Sequence, residues 1–443
     1  MRDLLMLGIT LGMVPMALMN GFVAFLLWLY VTLMVPHAYL YGLMADFRYT
    51  FVYAAIALGA LVLGRVKERG RFILDKTFIL LLIFMAHALL SALVSLEPNP
   101  HVPMRQELFI KGMALSLAAP FFLTSRWRIH MTLVVIVAGL GFHGIDDGLK
   151  MISSGGAHIV YGIPRSTLND NNLYALGMVM LMPLALYLAK YSAYKVAKWV
   201  SLGVFALCIL TVLGSNSRGG FLALAVLGVW YWITSSRKFV SLIFIGIVAF
   251  GIVEFAPDRW FDRIETLKNA GEDGSFLGRV AAWKVSVNIA NDNPVFGAGF
   301  NAVQMQWIWN QYKDIPNFIQ ITIPEMYSKA AHSNYFQVLG DLGYVGLLLF
   351  LALLASAFIT RWQIKAEATK SKGKHEWAVD LATSINLSLM AFMAGGAGVS
   401  LAYFELVYLL IVLLSIILRL VREETSILNA AAPVHPMKAP LHA

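Results

Sequence analysis

The sequence predicts an all-α, polytopic integral membrane protein of about twelve transmembrane helices. A large helical periplasmic loop is expected between the spans at 239–256 and 339–360. Three observations carry this reading. Only 13% of the residues are charged and 59% are hydrophobic, where a soluble chain has about a quarter charged. Mean hydropathy is +0.71. The apolar runs are continuous rather than alternating, the pattern of helices and not of a barrel.

Taken in order, the first apolar stretch is 4–35, broken near Asn20-Gly21, and crosses once or forms two short helices. Runs at 49–64, 77–96, 108–123, 130–150, 172–190, 197–214, 219–235, 239–256, 339–360, 378–398 and 402–421 follow. Lys and Arg concentrate at 65–76, 126–128, 190–198, 237–238, 361–374 and 419–422. The positive-inside rule puts these segments in the cytoplasm. It leaves 36–48, 97–107, 151–171, 214–218, 257–338 and 399–401 outside, with both termini inside. The formal charge of +9 is then topology, and nucleic acid is not expected as a partner. The opening MRD and its apolar sequel read as a retained span rather than a cleaved signal. The one cysteine, Cys208, sits in an apolar run, so the outer loops fold without a disulfide within the chain.

Four regions result. Residues 1–256 form an N-terminal bundle of about nine spans, and 339–421 a C-terminal group of about three. Residues 257–338 are the loop between them, and 422–443 a disordered cytoplasmic tail. The loop is too long for a connector. Its Trp260, Phe261, Trp283, Phe296, Phe300, Trp307, Trp309, Tyr312 and Phe318 argue against disorder. Within it, 276–290 has helical apolar spacing, Asn293-Pro294 ends that helix, and Gly297-Ala298-Gly299 is a turn. A second short amphipathic helix is expected over 302–312. Both helices suit the membrane surface, where the loop would cap a cavity.

Several polar groups stand where apolar sequence meets this outer face. Arg218 lies in GSNSRGG, residues 214–220, between two spans. An arginine there snorkels to headgroups or serves a built anion site. The flanking Ser, Asn and Gly residues favour the second, since Gly lets backbone approach a ligand. Arg279 opens the 276–290 helix and is equally readable as a solvated surface residue. His332 precedes a long span, with Ser333, Asn334 and Tyr335 beside it and Glu325 and Lys329 upstream. A neutral imidazole there can take a proton from a hydroxyl. Arg165, Asn169, Asp170, Asn171 and Asn172 open another span from the same side, as a helix cap or as sugar contacts. Arg105 and Lys111 add positive charge, and Asp146 or Asp147 is placed to orient an arginine. Metal-ligand spacings are not found: there is no HExxH and no clustered Cys/His. Asp258, Asp262 and Asp273 are dispersed, so no metal and no other cofactor is expected.

The sequence SxSRGG at an outer helix start, GR-x3-W opening a loop helix, P-x-FGAG-F, and then AHSNYFQVLGDLGYVGLLLF resembles the O-antigen ligase and polymerase superfamily. The resemblance spans about 205–360. MRDLLMLGITLGMVPMAL and YGIPRSTLNDNNLYALGM also look like a branch of O-glycosylation ligases. The resemblance implies a bacterial inner-membrane glycosyltransferase whose donor is a glycan on undecaprenyl pyrophosphate and whose acceptor is a sugar of lipid A core. The family reaction is metal-independent and inverting. Its conserved arginines match Arg218 and Arg279, which would bind the donor pyrophosphate, and its loop histidine matches His332 as the catalytic residue. Arg165, Asn172, Glu325, Lys329 and Tyr335 are further candidates for substrate binding. The chemistry is consistent with the residues: paired arginines neutralise a phosphate leaving group. A protein O-glycan ligase or a glycan polymerase would use the same donor. A lipid-linked glycan transporter or a non-catalytic scaffold are the readings of another class. A transporter would carry its charges at mid-membrane, whereas these stand at one face.

Overall fold

The structure, a computed structural model, describes residues 1–72, 74–96, 101–234, 274–322, 327–371 and 373–430, with Lys238, Phe239, Leu242 and Gly246. The expected span 239–256, the first part of the loop to 273, and Glu325 therefore lie outside the described residues, Phe239, Leu242 and Gly246 excepted. Among the described residues the regular structure is helical. We label the helices α1 (Arg2–Met19), α2 (Gly21–Met34), α3 (Tyr49–Val62), α4 (Lys76–Leu93), α5 (His101–Phe122), α6 (Arg126–Ser153), α7 (Asn171–Tyr191), α8 (Lys195–Gly214) and α9 (Arg218–Thr234). After these come α10 (Gly274–Asp292), α11 (Gln306–Tyr312), α12 (Asn334–Thr369), α13 (Glu376–Gly395) and α14 (Glu405–Ala430).

Seven of the described helices, α1, α4, α6, α7, α8, α12 and α13, are long and apolar enough to cross a membrane, and α2, α3 and α9 are shorter apolar helices. With the apolar surface they carry, this makes the chain a polytopic helical membrane protein. Leu4, Leu5 and Leu11 on α1, Val196 and Trp199 on α8, and Leu348 and Trp362 on α12 stand exposed. Such a surface suits lipid, which is as apolar as the side chains themselves. The core is built on α7 and α14. Tyr174 to Ala189 of α7 and Leu406 to Leu418 of α14 are almost continuously buried. Helices α6, α8, α9 and α13 pack around α7, while α5 and α12 flank α14.

Local sequence explains where the helices start. Asn20 is extended, and its side chain accepts the Phe22 N–H at 3.0 Å, so the first apolar stretch is two helices. Asp75 and Asp170 cap α4 and α7 in the same way, each satisfying an otherwise orphaned N–H. Three expectations change. Helix α14 continues to Ala430, past the start of the expected tail at 422. Packing extends it: Thr425 is buried, and Glu424 lies 3.4 Å from the buried His375. Helix α10 does not lie on a surface with one wet face. Ala281, Ala282, Val285 and Ile289 pack against Val303, Ile308, Trp309 and Tyr312, while Val287 and Ala290 pack against Leu339 of α12. Its polar side chains are covered too. Lys284 donates to the Ile321 carbonyl at 2.9 Å and Asn288 to those of Tyr312 and Ile315. Last, 302–312 is a 3-10 turn, Ala302–Gln304, followed by the short α11.

Helix α12 is broken at Gly343, whose φ is 70° and ψ −172°. A break exposes carbonyls that helix N–H groups would otherwise cover, and here each finds another donor. The Gly340 carbonyl accepts from Ala298 N–H, that of Asp341 from Gly299 N–H and Ser91 Oγ, and that of Leu342 from His87 Nε2. The freed Tyr344 N–H donates to the Pro294 carbonyl at 2.8 Å. A Cβ at Gly343 would meet that same carbonyl oxygen at 2.6 Å. Loop 294–302 and α4 therefore grip α12 at its break. The Asp341 carboxylate adds bonds from Ala302 N–H at 3.3 Å and the Tyr403 hydroxyl at 3.0 Å.

Candidate active site

The site is assembled from the segment before α12, the start of α10, the start of α9 and the start of α7. His332 is half-buried with φ 43°, a left-handed conformation that costs a non-glycine residue energy. Its neighbours hold it. The Ala331 carbonyl accepts the Trp283 indole N–H at 2.7 Å. Asn334 N–H donates to the Gly396 carbonyl at 2.7 Å, and Asn334 Oδ1 accepts Leu401 N–H at 2.6 Å. Trp283 is fixed in turn by stacking on Phe336, centroids 5.0 Å apart.

Charges surround the imidazole. Burial holds the His332 pKa below its usual value, and the nearby Arg279 and Lys329 push it further down, while Asp170 opposes them. The ring is thus neutral at neutral pH and has a lone pair for a proton. Lys329 runs its stem over Gly278, with Cγ 3.5 Å from where a Cβ would stand, beside Arg279. The start of α9 joins from the other side. A Cβ at Gly398 would lie 4.0 Å from both Arg279 Nη1 and the Gly219 Cα, so the guanidinium and the first turn of α9 border one small space. Arg218 is the first residue of that turn and is half-buried. The positive end of the helix adds to its charge. Ser217 stabilises the turn by accepting Gly220 N–H on its hydroxyl at 3.1 Å.

The other candidates separate. Asp170 caps α7, and Asn171 donates to the Ser215 carbonyl at 2.7 Å, tying α7 to the Arg218 turn. Asn172 spends its side-chain amide on Asp170 and Asn171, which is a capping role. Arg165 faces the 36–48 segment, where its carbonyl meets His37 and its guanidinium lies 3.9 Å from Asp46. Tyr335 donates to the Met393 carbonyl and holds α12 to α13. Lys111 pairs with Glu107. Asp146 and Asp147 do not orient an arginine, because Lys150 and His158 hold them. The glycines of SRGG have a packing reason as well: a Cβ at Gly220 would meet Ala175 of α7 at 2.8 Å. Asp170 is the residue that sequence reasoning undervalued. Its capping position was legible, but its approach to His332 across the fold was not.

Compared with known families, residues 203–351 match the family described as O-antigen ligase, and residues 1–193 match one described as a family of unknown function. No curated protein matches the chain. Arg218, Arg279 and His332 all fall inside the first match.

Proposed function

We propose, from the match of residues 203–351 to the O-antigen ligase family, a glycosyl transfer at the periplasmic face of the bacterial inner membrane. The donor is a glycan on undecaprenyl pyrophosphate, the acceptor a sugar hydroxyl of lipid A core, and the product is completed lipopolysaccharide. The observation that carries this reading is the convergence of Arg279 and the Arg218 turn on one space beside a neutral His332. That set suits an anionic leaving group and a hydroxyl nucleophile.

In the proposed step the acceptor oxygen attacks the anomeric carbon from the side opposite the pyrophosphate. The new C–O bond forms as the bond to the phosphate oxygen breaks, and the configuration inverts. Arg218 and Arg279 take the charge that grows on the departing pyrophosphate, so the step asks for no metal. His332 accepts the hydroxyl proton. Lys329 adds positive charge near the donor, and Asp170 steadies the imidazolium once formed. Arg165, Asn172 and Tyr335 take no direct part in the step, being engaged by Asp46, Asp170 and the Met393 carbonyl. The described part of the loop, 274–322 and 327–338, supplies Arg279 and His332 to the proposed site. Membrane helices hold the lipid tail.

The test is a transfer assay with the purified full chain and lipid-linked donor. Lipid A core, an acceptor protein and a second lipid-linked repeat compete as acceptors. Labelled lipid A core is the expected product. Product only on protein, or only as longer lipid-linked glycan, overturns the acceptor assignment in favour of a protein ligase or a polymerase. His332→Ala should abolish transfer while donor binding survives.

A further inference from the structure

A cavity of about 440 Å³ lies at the other end of the bundle, lined by Glu68, Arg69, Gly70, Arg71, Thr124, Arg419, Leu420 and Glu423. Helix α14 starts at Glu405, next to Thr167 and just after the Leu401 that binds Asn334. Arg419 stands about 21 Å further along its axis. That rise covers about two-thirds of a hydrocarbon core of roughly 30 Å, so the cavity stands towards the far end of the bundle from Leu401 and Asn334, and it belongs to no part of the transfer site.

Part of its arginine content is helix capping. Helix α5 ends with exposed carbonyls, and Gly70 N–H takes that of Phe121, Arg128 that of Phe122, and Arg419 that of Leu123. Arg419 also reaches the Arg71 carbonyl at 2.9 Å. Capping leaves two things over. Thr124 Oγ1 and Arg419 Nε are buried without a hydrogen-bond partner among the described protein atoms, so each has bonding capacity left for a ligand atom. Arg69 and Arg71 also line the same space, Arg69 with its guanidinium over the Phe121 ring and 3.5 Å from the Leu61 carbonyl. Of the two carboxylates present, Glu68 is bound to Arg128 at 3.1 Å, and Glu423 is 4.0 Å from Arg419 and largely exposed. Three arginines against two carboxylates leave the lining net positive, a balance that an anion would complete.

We infer that this crevice binds the phosphodiester headgroup of an anionic phospholipid in the leaflet opposite the His332 mouth. Its volume suits a small headgroup. Lipid is favoured over a soluble phosphate because apolar side chains stand exposed beside it: Phe72, Leu74 and Leu63 on the same segment, and Trp127 at the start of α6. The acyl chains lie along these residues while the arginines hold the phosphate. Basic pockets between spans recognise lipid headgroups by this chemistry. The inference is independent of the glycan reading.

The experiment uses the purified full chain in phosphatidylcholine nanodiscs doped with increasing phosphatidylglycerol, read by thermal unfolding and by native mass spectrometry of retained lipid. A saturable rise in Tm with phosphatidylglycerol is expected, with retained lipid. Arg69→Gln and Arg71→Gln should each raise the lipid fraction needed by about fivefold, and Thr124→Val should raise it as well. Glu423→Gln should lower it, because a competing carboxylate is gone. That opposite direction keeps the test decisive if an arginine variant fails to fold. Equal lipid dependence in wild type and all four variants overturns the site. A full shift with glycerol 1-phosphate or inorganic phosphate alone overturns the lipid assignment.

Discussion

Trp283→Phe isolates how His332 is positioned. The left-handed conformation of His332 costs about 1–2 kcal/mol. The Trp283 and Asn334 hydrogen bonds on either side contribute about 1 kcal/mol each. Together they offset the strain, and one alone does not. Phenylalanine keeps the ring against Phe336 but deletes the N–H. It leaves the Ala331 carbonyl, on a residue only 4% exposed, unsatisfied at about 1–3 kcal/mol. At tenfold per 1.36 kcal/mol, that is about 5- to 150-fold in rate. Since Arg218 and Arg279 stay in place, the loss should fall on kcat, with the donor KM within about twofold. Steady-state transfer kinetics, with donor binding measured separately, check this. Wild-type kcat in Trp283→Phe refutes the positioning argument. A KM rise that matches the kcat loss shows damage to the donor site instead.

Three further outcomes are expected. The proposed step needs neutral His332, so the acid limb of transfer should report its depressed pKa. Lys329→Gln removes a repelling cation and should move that limb to higher pH, whereas Asp170→Asn removes a stabilising anion and should move it lower; a pH–rate profile of each variant decides. Arg279→Lys should weaken donor binding about tenfold or more, because an ammonium cannot make the paired contacts of a guanidinium, and a donor titration measures it. Gly343→Ala should lower Tm, since its Cβ meets the Pro294 carbonyl at 2.6 Å and the positive-φ extended backbone, essentially open to glycine alone, adds about 1–3 kcal/mol; an unchanged melting curve would contradict the account of the α12 break.

Much of the fold was legible because lipid imposes a simple rule: continuous apolar runs close their hydrogen bonds as helix. Asn20 could be seen as a break because Asn caps helices. What escaped was tertiary. The pattern of 276–290 reads as amphipathic, yet Lys284 and Asn288 are buried by bonds to carbonyls of residues 312–321, and no local periodicity encodes a covering loop. Helix α14 outlasts the point where its sequence turns polar because the neighbouring His375 and its own buried Thr425 support the last turns. For the site, Arg218, Arg279 and His332 were chosen by motif, and the fold brings their segments together. Asn172 and Arg165 came from the same polar run but are drawn into a cap and into the 36–48 segment. Asp170 reaches His332 only because α7 is threaded through the centre of the bundle.

The break in α12 has a mechanical consequence. Every carbonyl it frees is bonded to loop 294–302 or to α4, so the piece before Gly343, which follows directly on His332, is fastened there and packs by Leu339 on Val287 and Ala290 of α10. The longer piece beyond it presents Leu348, Leu351, Ile359 and Trp362 and answers to lateral pressure and bilayer thickness. Gly343 is the point at which a tilt of that longer piece would be taken up, leaving the contacts of the His332 segment with Trp283 and Gly396 in place.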